Sequence, residues 1–243
     1  MKRLLSLRHA RPILTMLPAN SPVPEDDAND LSADGASQAT ELAKRLKRSL
    51  KELGKIAVVT SPAKRCSTTA SAIAAQLGAT VSVDPRLGAR AFDRSMVRTV
   101  AELRAWQNTA LRDPFSRVGT GESEFDQRNR VGAWLASALG METADTVIAV
   151  THGSAIEHLG GAILGSAIQG MEAIFLECDH ARFHSWRVEA TPSQTLGWVL
   201  EGVNLDDLSR VFADAEERRR LRAGQPAVPP PGPVVMHEAY YVR

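Results

Sequence analysis

The chain has 243 residues, of which 44% are hydrophobic, and a formal net charge of +1. This length and composition allow a substantial buried core, in one large α/β domain or two small ones. The near balance of charge excludes both a globally basic surface for nucleic acid and an acidic disordered chain, so any attraction for phosphate must be local.

Cysteine usage and targeting signals indicate a cytoplasmic protein without a membrane partner. The two cysteines, Cys66 and Cys178, are far apart and form neither a zinc pattern nor a disulfide framework. The basic N-terminus is followed by too short an apolar run for a secretory signal. No segment approaches the roughly 18 consecutive apolar residues of a membrane span.

The first third of the chain alternates between strands and helices. Residues 4–7 are predicted to form a buried parallel strand, and the proline-containing stretch 11–30 a long loop or lid. A helix is predicted to run from an N-cap at Ser32 to Gly54. A second buried strand is predicted over residues 56–60.

The next segments repeat the alternation. Ser61 is predicted to be an N-cap rather than a catalytic group, with Pro62 at the first helical position and Gly78 as terminator. Residues 80–84 alternate in hydrophobicity, which is typical of a third strand.

Residues 86–130 are less regular and are predicted to form a cap. A helix is expected over 96–112, followed by a glycine-rich turn and a second helix that ends near residue 139. The large apolar side chains of this region are expected mostly to pack the cap itself. They are Phe92, Met96, Trp106, Phe115 and Phe125.

The last third contains a fourth buried strand at 146–150, which turns into a helix. Further strands are predicted over residues 173–178, 182–188 and 196–201. We expect one domain over 1–204. A charged helix and a Pro-rich tail are expected over 205–243.

Strands that alternate with helices predict an α/β fold, here a three-layer αβα sandwich with a mostly parallel sheet. Ligands of such sheets bind at the carboxyl ends of the strands. Three predicted strand ends carry polar side chains: Arg8 and His9, then Ser61 to Arg65, then His152. Each residue alone has an ordinary structural explanation. Together, two arginines and two histidines are costly to desolvate without a ligand, so we interpret them as a site.

Five segments, in this order, resemble the signature of the histidine phosphatase superfamily, whose members include the cofactor-dependent phosphoglycerate mutases. The resemblance lies between residues 4 and 165. The segments are LRHA (7–10), LSADGASQATELAKRL (31–46), TSPAKRCSTTASAIA (60–74), GES (121–123) and VIAVTHGSAI (147–156).

The resemblance implies a phosphoglycerate mutase-like fold and a hydrolase that acts on a small phosphorylated metabolite through a phosphohistidine intermediate. It makes His9 the nucleophile. It assigns the phosphate contacts to Arg8, Arg65, His152 and Gly153. No cofactor and no metal ion is expected, and the sequence offers no obvious cluster of metal ligands.

Two positions depart from the superfamily pattern. Ala10 stands in place of glycine, and Ala89 stands where the superfamily usually has a glutamate that protonates the leaving oxygen. General acid catalysis typically contributes about 10²–10⁴-fold. Three explanations stay open: Asp93 or Glu122 supplies the proton, the substrate needs little acid help, or the chain is a phosphate-binding regulatory protein without turnover.

Mutase activity is the alternative hypothesis for an enzyme. The predicted lid contains no Lys or Arg between residues 13 and 30 and carries four carboxylates, an arrangement that would repel phosphoglycerate. They are Glu25, Asp26, Asp27 and Asp30. Among the other histidines, His158 is expected to be structural or to line the site. His180, His184 and His237 are expected in turns or on the surface.

Overall fold

The computed structural model describes residues 2–110, 113–140, 143–165, 176–190, 196–209, 211–213 and 216. The chain divides into two compact units, Met1–Leu208 and Ser209–Arg243. The first unit contains all the strands and helices named below. Half of the charged helix predicted over 205–222, together with the Pro-rich tail and His237, lies outside the described residues. The predicted domain boundary after residue 204 stays a prediction.

Six strands form one sheet in the described part of the chain. They are β1 (Arg3–Arg8), β2 (Ile56–Thr60), β3 (Val81–Val83), β4 (Thr146–Thr151), β5 (Phe183–Ala190) and β6 (Leu196–Leu205). Their order across the sheet is β3-β2-β4-β1-β5-β6. The first four are parallel, whereas β5 runs antiparallel to both β1 and β6. The predicted mostly parallel α/β sheet is confirmed.

Helices cover both faces of this sheet. They are α1 (Ala33–Arg48), α2 (Leu50–Leu53), α3 (Lys64–Leu77), α4 (Val100–Ala110), α5 (Glu124–Leu139) and α6 (Gly153–Leu164). Helices α1 and α3 pack together, and α5 packs on α6. Leu4 joins the core cluster of α5 and α6, which contains Trp134 and Leu159. Because neighbouring strand residues point to opposite faces, the buried Leu5 faces the other helical layer.

Several boundaries differ from the predictions. The N-cap at Ser32 is confirmed, because its Oγ accepts a hydrogen bond from the Gly35 N–H at 3.1 Å. The predicted single helix is interrupted at Ser49. Helix α3 begins at Lys64, with Ala63 as its N-cap, so the assignments of Ser61 and Pro62 were wrong.

Two other elements also differ from their predicted positions. Helix α4 begins at Val100 rather than at 96. Residues 176–178 are not a strand, and the rest of the strand predicted at 173–178 lies outside the described residues. In the described residues, no helix combines the length and apolar character that crossing a membrane requires.

Gly35 allows α1 to approach the chain that leaves β1. A Cβ at this position would lie 2.0 Å from the Arg11 carbonyl oxygen, so only glycine fits. The same carbonyl accepts hydrogen bonds from the backbone N–H and the side-chain Oγ of Ser32. These contacts fix the segment that follows His9.

The lid, residues 11–30, packs against the cap. The Val23 N–H donates to the Arg98 carbonyl at 2.8 Å, and Arg94 donates to the carbonyls of Val23 and Pro24. Leu14 and Val23 join a small apolar cluster with residues of the cap. The cap residues of this cluster are Val97, Leu103, Trp106, Phe92 and Val118.

The predicted packing of the large apolar cap residues is confirmed for some of them. Phe92 packs on Trp106, with ring centroids 5.6 Å apart. Phe115 and Phe125 pair with each other but are both exposed. Met96 is exposed as well.

Candidate active site

The strand ends meet because β1, β4 and β2 are parallel neighbours. Arg8 lies opposite Thr151 in the ladder between β1 and β4, and Thr60 lies opposite Val150. The residues that follow therefore emerge at one edge of the sheet. They line a cleft of about 460 Å³. The structure brings the predicted nucleophile His9 and the four predicted phosphate contacts to it: Arg8, Arg65, His152 and Gly153.

His9 is held in one tautomer. Its Nδ1 lies 2.8 Å from the Ala10 carbonyl oxygen. Because a carbonyl can only accept, Nδ1 carries the proton, and in the neutral ring Nε2 has the lone pair. No described residue makes a hydrogen bond to Nε2. The ring is 6% exposed.

The environment of His9 keeps the ring neutral. Burial, followed by the positive charge of Arg65, holds the pKa of His9 well below its ordinary value, although the bond to the Ala10 carbonyl opposes this shift. At neutral pH the ring therefore offers an unprotonated Nε2, which is the form that can attack an electrophile.

His152 is also neutral and makes two directed contacts. Its Nδ1 accepts from Arg65 Nη2 at 3.4 Å, and its Nε2 donates to Ser61 Oγ at 2.9 Å. Burial lowers the pKa of His152, and His9 and Arg65 lower it further. Ser61, whose Oγ also accepts from the Ala63 N–H, thus positions a histidine of the cleft.

The two arginines approach the cleft from different sides. Arg8 Nη1 donates to the Cys178 carbonyl at 2.7 Å, whereas its buried Nε has no hydrogen-bond partner among the described residues. Arg65 Nη1 donates to Asp26 of the lid at 2.7 Å. A buried guanidinium N–H without a partner is costly, which suits a donor kept for a ligand.

The first turn of α6 completes this end of the cleft. His152 is the N-cap of α6 and makes no side-chain cap, so the helix presents its N-terminal N–H groups and the positive end of its dipole at the cleft. A Cβ at Gly153 would lie 3.5 Å from Arg8 Cζ. This end of the cleft therefore presents mainly hydrogen-bond donors and positive charge, which suits an anionic ligand.

Comparison with known proteins identifies the family. The model of the histidine phosphatase superfamily (branch 1) matches residues 15–199. The chain belongs to this superfamily.

Relatives by sequence include the "Probable phosphoglycerate mutase GpmB" of Proteus mirabilis, which is 30% identical over 77% of this chain and 87% of its own length. The protein of the same name from Enterobacter sp. is 28% identical over 76% and 85%.

Solved structures share the fold. A mycobacterial glucosyl-3-phosphoglycerate phosphatase with VO3 has a TM-score of 0.67 and 23% identity, covering 84% of this chain and 99% of its own. The alpha-ribazole phosphatase of Shigella flexneri has a TM-score of 0.63 and 18% identity, covering 84% and 97%.

Ala89, which stands where the resemblance places the superfamily acid, lines the cleft. The two carboxylates considered as substitutes do not line it. Asp93 accepts hydrogen bonds from the backbone and side chains of Ser95 and Thr120, which hold its pKa well below the usual range. The structure does not bring Asp93 together with the phosphate-binding residues.

Glu122 is likewise engaged elsewhere. Arg130 donates to both of its oxygens, and the Ala91 N–H donates to one of them. Burial alone would raise its pKa, but these hydrogen bonds outweigh burial and lower the pKa. A carboxylate held ionised in this way and outside the cleft is poorly suited to donate a proton to a leaving oxygen.

A buried charged group forms one wall of the cleft. Glu124 pairs with Arg90 and accepts a hydrogen bond from His158 Nε2 at 2.7 Å. The Arg90 guanidinium stacks on Trp106, 3.8 Å from the ring centroid. His158 is therefore structural. Among the described residues, no group of three or more His, Cys, Asp or Glu side chains is placed to hold a metal ion.

The far end of the cleft is more apolar. Lid residue Leu14 and helix α4 supply its walls, and Arg104 contributes a positive charge. The side chains of α4 here are Val100, Leu103, Trp106 and Gln107.

Sequence reasoning missed three residues of the site. Ser61 contacts His152, and Glu157 lines the cleft from α6. His180 lies in a turn, as expected, but its ring also lies 5.4 Å from that of His9 and lines the cleft. His184 was expected in a turn or on the surface, but it is fully buried in β5 and bonded to the Leu176 carbonyl, so this prediction was wrong.

A signal for Glu157 was present, because it lies one helical turn after Gly153 on the same face of α6. No local pattern places His180 beside His9.

Proposed function

We propose that this protein is a phosphatase that hydrolyses a small phosphorylated metabolite through a phosphohistidine at His9. The observation that carries the proposal is the fixed tautomer of His9. Its Nδ1 proton is held by the Ala10 carbonyl, and its Nε2 lone pair lies in a cleft with Arg8, Arg65 and His152.

In the first step Nε2 of His9 attacks phosphorus, and the bond from phosphorus to the ester oxygen breaks. In the second step water attacks the phosphohistidine, and the electron pair of the P–N bond returns to Nε2. Catalysis of such transfers depends mostly on positioning and on stabilising charge on the equatorial oxygens. Arg8, Arg65 and the first turn of α6 are suited to that task.

His152 has two roles in the proposed mechanism. As a neutral ring it holds Arg65 and Ser61 in place. A phosphate dianion beside the ring favours its protonated form, in which Nδ1 also becomes a donor. All the charge-stabilising groups belong to the chain, so we expect hydrolysis to continue in the presence of a chelator.

Phosphoglycerate mutase activity is the second candidate, because the relatives at about 30% identity carry that name. A mutase must retain its phosphorylated intermediate and bind a second anionic group. Here the lid places Asp26 on Arg65 and Glu25 on Arg94. This acidic lid favours release of phosphate to water.

The decisive experiment is to trap the intermediate. Wild-type protein mixed with para-nitrophenyl phosphate and quenched rapidly should carry one acid-labile phosphate, mapped by mass spectrometry to His9. His9→Asn retains a donor for the Ala10 carbonyl but has no nucleophilic nitrogen, so its turnover should be abolished. His180→Asn removes the neighbouring ring and should still allow His9 to be phosphorylated.

Thermal unfolding of each variant checks that the fold is retained. Wild-type rates in a folded His9→Asn protein would show that the mechanism is wrong. Rapid transfer of the trapped phosphate to phosphoglycerate, faster than to water, would favour the mutase.

A further inference from the structure

The alanine at position 89 leaves open which group protonates the leaving oxygen of an alkyl ester. Such a group must reach the cleft, and its proton must not be committed to another residue. In the described part of the chain, two carboxylates line the cleft: Glu124 and Glu157.

Glu124 does not meet the second condition. One of its oxygens pairs with Arg90 and the other with His158 Nε2. Both partners are buried, and so is Glu124 itself. Breaking a buried ion pair is strongly unfavourable, so both oxygens of Glu124 are committed to these partners and are not available to a leaving group.

Glu157 meets both conditions. It is the residue four positions after Gly153 on α6, so it lies about 6 Å further along the same helix face. Helical side chains lean towards the N-terminus, which directs this carboxyl group back towards the phosphate-binding turn. No described residue makes a hydrogen bond to it.

The charges around Glu157 come from three other elements. Arg8 of β1 favours its ionised form, whereas Glu124 of α5 and Glu177, in the segment before β5, disfavour it. Burial is the largest cause and acts in the same direction as the two carboxylates. Together they outweigh Arg8 and raise the pKa of Glu157 to about 7. A bound phosphate dianion adds a further negative charge near the carboxyl group and favours its protonated form still more.

We propose that Glu157 is the general acid that replaces the missing superfamily glutamate. This inference rests on the proposed function, since it concerns the same phosphoryl transfer. As the bond from phosphorus to the ester oxygen breaks, the electron pair moves to that oxygen, which takes the proton from Glu157. The resulting carboxylate then accepts a proton from the water that attacks the phosphohistidine, which restores the acid.

The experiment compares wild type with Glu157→Gln on two esters. Para-nitrophenyl phosphate has a leaving oxygen that needs no proton, whereas propyl phosphate has one that does. The variant should lose kcat/KM for propyl phosphate by about 10²-fold or more, with a much smaller loss for the aryl ester.

The pH profile gives a second readout. Because the acid must be protonated, wild-type kcat/KM for propyl phosphate should fall as pH rises through about 7. The variant should lack this basic limb.

Two further variants sharpen the test. Glu177→Gln removes a nearby carboxylate that does not line the cleft, and it should retain the wild-type dependence on the leaving group. The double variant Ala89→Glu, Glu157→Gln places a carboxyl group at another position that lines the cleft and should regain part of the lost propyl phosphate activity.

The outcomes separate this inference from the proposed function. An unchanged ratio of propyl to aryl rates in Glu157→Gln, with His9→Asn inactive, overturns the role of Glu157 and leaves the phosphatase in place. A rise in KM confined to substrates with an ammonium group also overturns it, because Glu157 would then bind substrate. A wild-type protein that hydrolyses neither ester overturns both.

Discussion

The two ends of the cleft are built by different means. One end, here called the phosphate end, contains Arg8, His9, Arg65 and His152. These residues lie at or shortly after the carboxyl ends of β1, β2 and β4, so the parallel ladder brings them together. The far end consists of α4 and the lid, which meet through a small apolar cluster and a few backbone hydrogen bonds. We therefore expect changes at the sheet edge to affect the chemistry of every substrate, and changes in α4 or the lid to affect which substrate binds.

The largest effects are expected at the phosphate end. Arg65→Ala and Arg8→Ala should each lower kcat by about 10²–10³-fold on every ester, by analogy with the loss of one oxyanion donor. Arg117→Ala removes an arginine outside the cleft that pairs with Asp126, and it should leave kcat unchanged. Steady-state kinetics on para-nitrophenyl phosphate measures all three.

A crystal structure with vanadate gives the geometric check. Both guanidinium groups should contact the vanadate oxygens. Vanadate bound elsewhere, with Arg8 and Arg65 turned to solvent, would contradict the assignment and remove the distinction between the two ends.

Much of the fold and of the phosphate end could be predicted from the sequence, for one physical reason. Short apolar strands between helices predict a parallel sheet, and the sheet then determines which residues become neighbours. Arg8 and His152 are 144 positions apart in the chain, yet both lie at adjacent strand ends.

The rest depended on tertiary contacts that leave little trace in the sequence. Ser61 has the sequence position of an N-cap, but α3 begins three residues later and its hydroxyl contacts His152 instead. Asp93 lies close in sequence to the missing acid, but the loop around Thr120 captures its carboxylate. His180 reaches His9 only because the chain turns back before β5.

The far end can be probed through Arg104. This exposed side chain lines the cleft from α4, so it can meet an anionic group of a substrate beyond the phosphate. Arg104→Ala should raise KM for phosphoglycolate up to about fivefold, since an exposed ion pair contributes about 0.2–1 kcal/mol. KM for para-nitrophenyl phosphate and both kcat values should change little.

A fall in kcat for both substrates would show that the cap contributes to the chemistry itself. An unchanged KM for phosphoglycolate would mean that Arg104 does not face the substrate.

The smallest effect is expected where the two ends meet, at the ion pair between Asp26 of the lid and Arg65. Asp26 is largely exposed, so the pair is worth about 0.2–1 kcal/mol. A phosphate ligand that takes both donors of the Arg65 fork has to displace this carboxylate. Asp26→Asn should therefore lower the inhibition constant of inorganic phosphate about twofold, and the gain should shrink as salt screens the pair.

A higher inhibition constant of inorganic phosphate in Asp26→Asn would contradict this prediction. Arg65 also contacts His152, so its orientation is already supported from the sheet side. If Asp26→Asn weakens phosphate binding instead, the lid carboxylate helps to position Arg65 rather than competing with the ligand. The phosphate end would then depend on the lid as well as on the strand ends. Asp27→Asn, which changes the neighbouring carboxylate, serves as the matched control and should leave the inhibition constant unchanged.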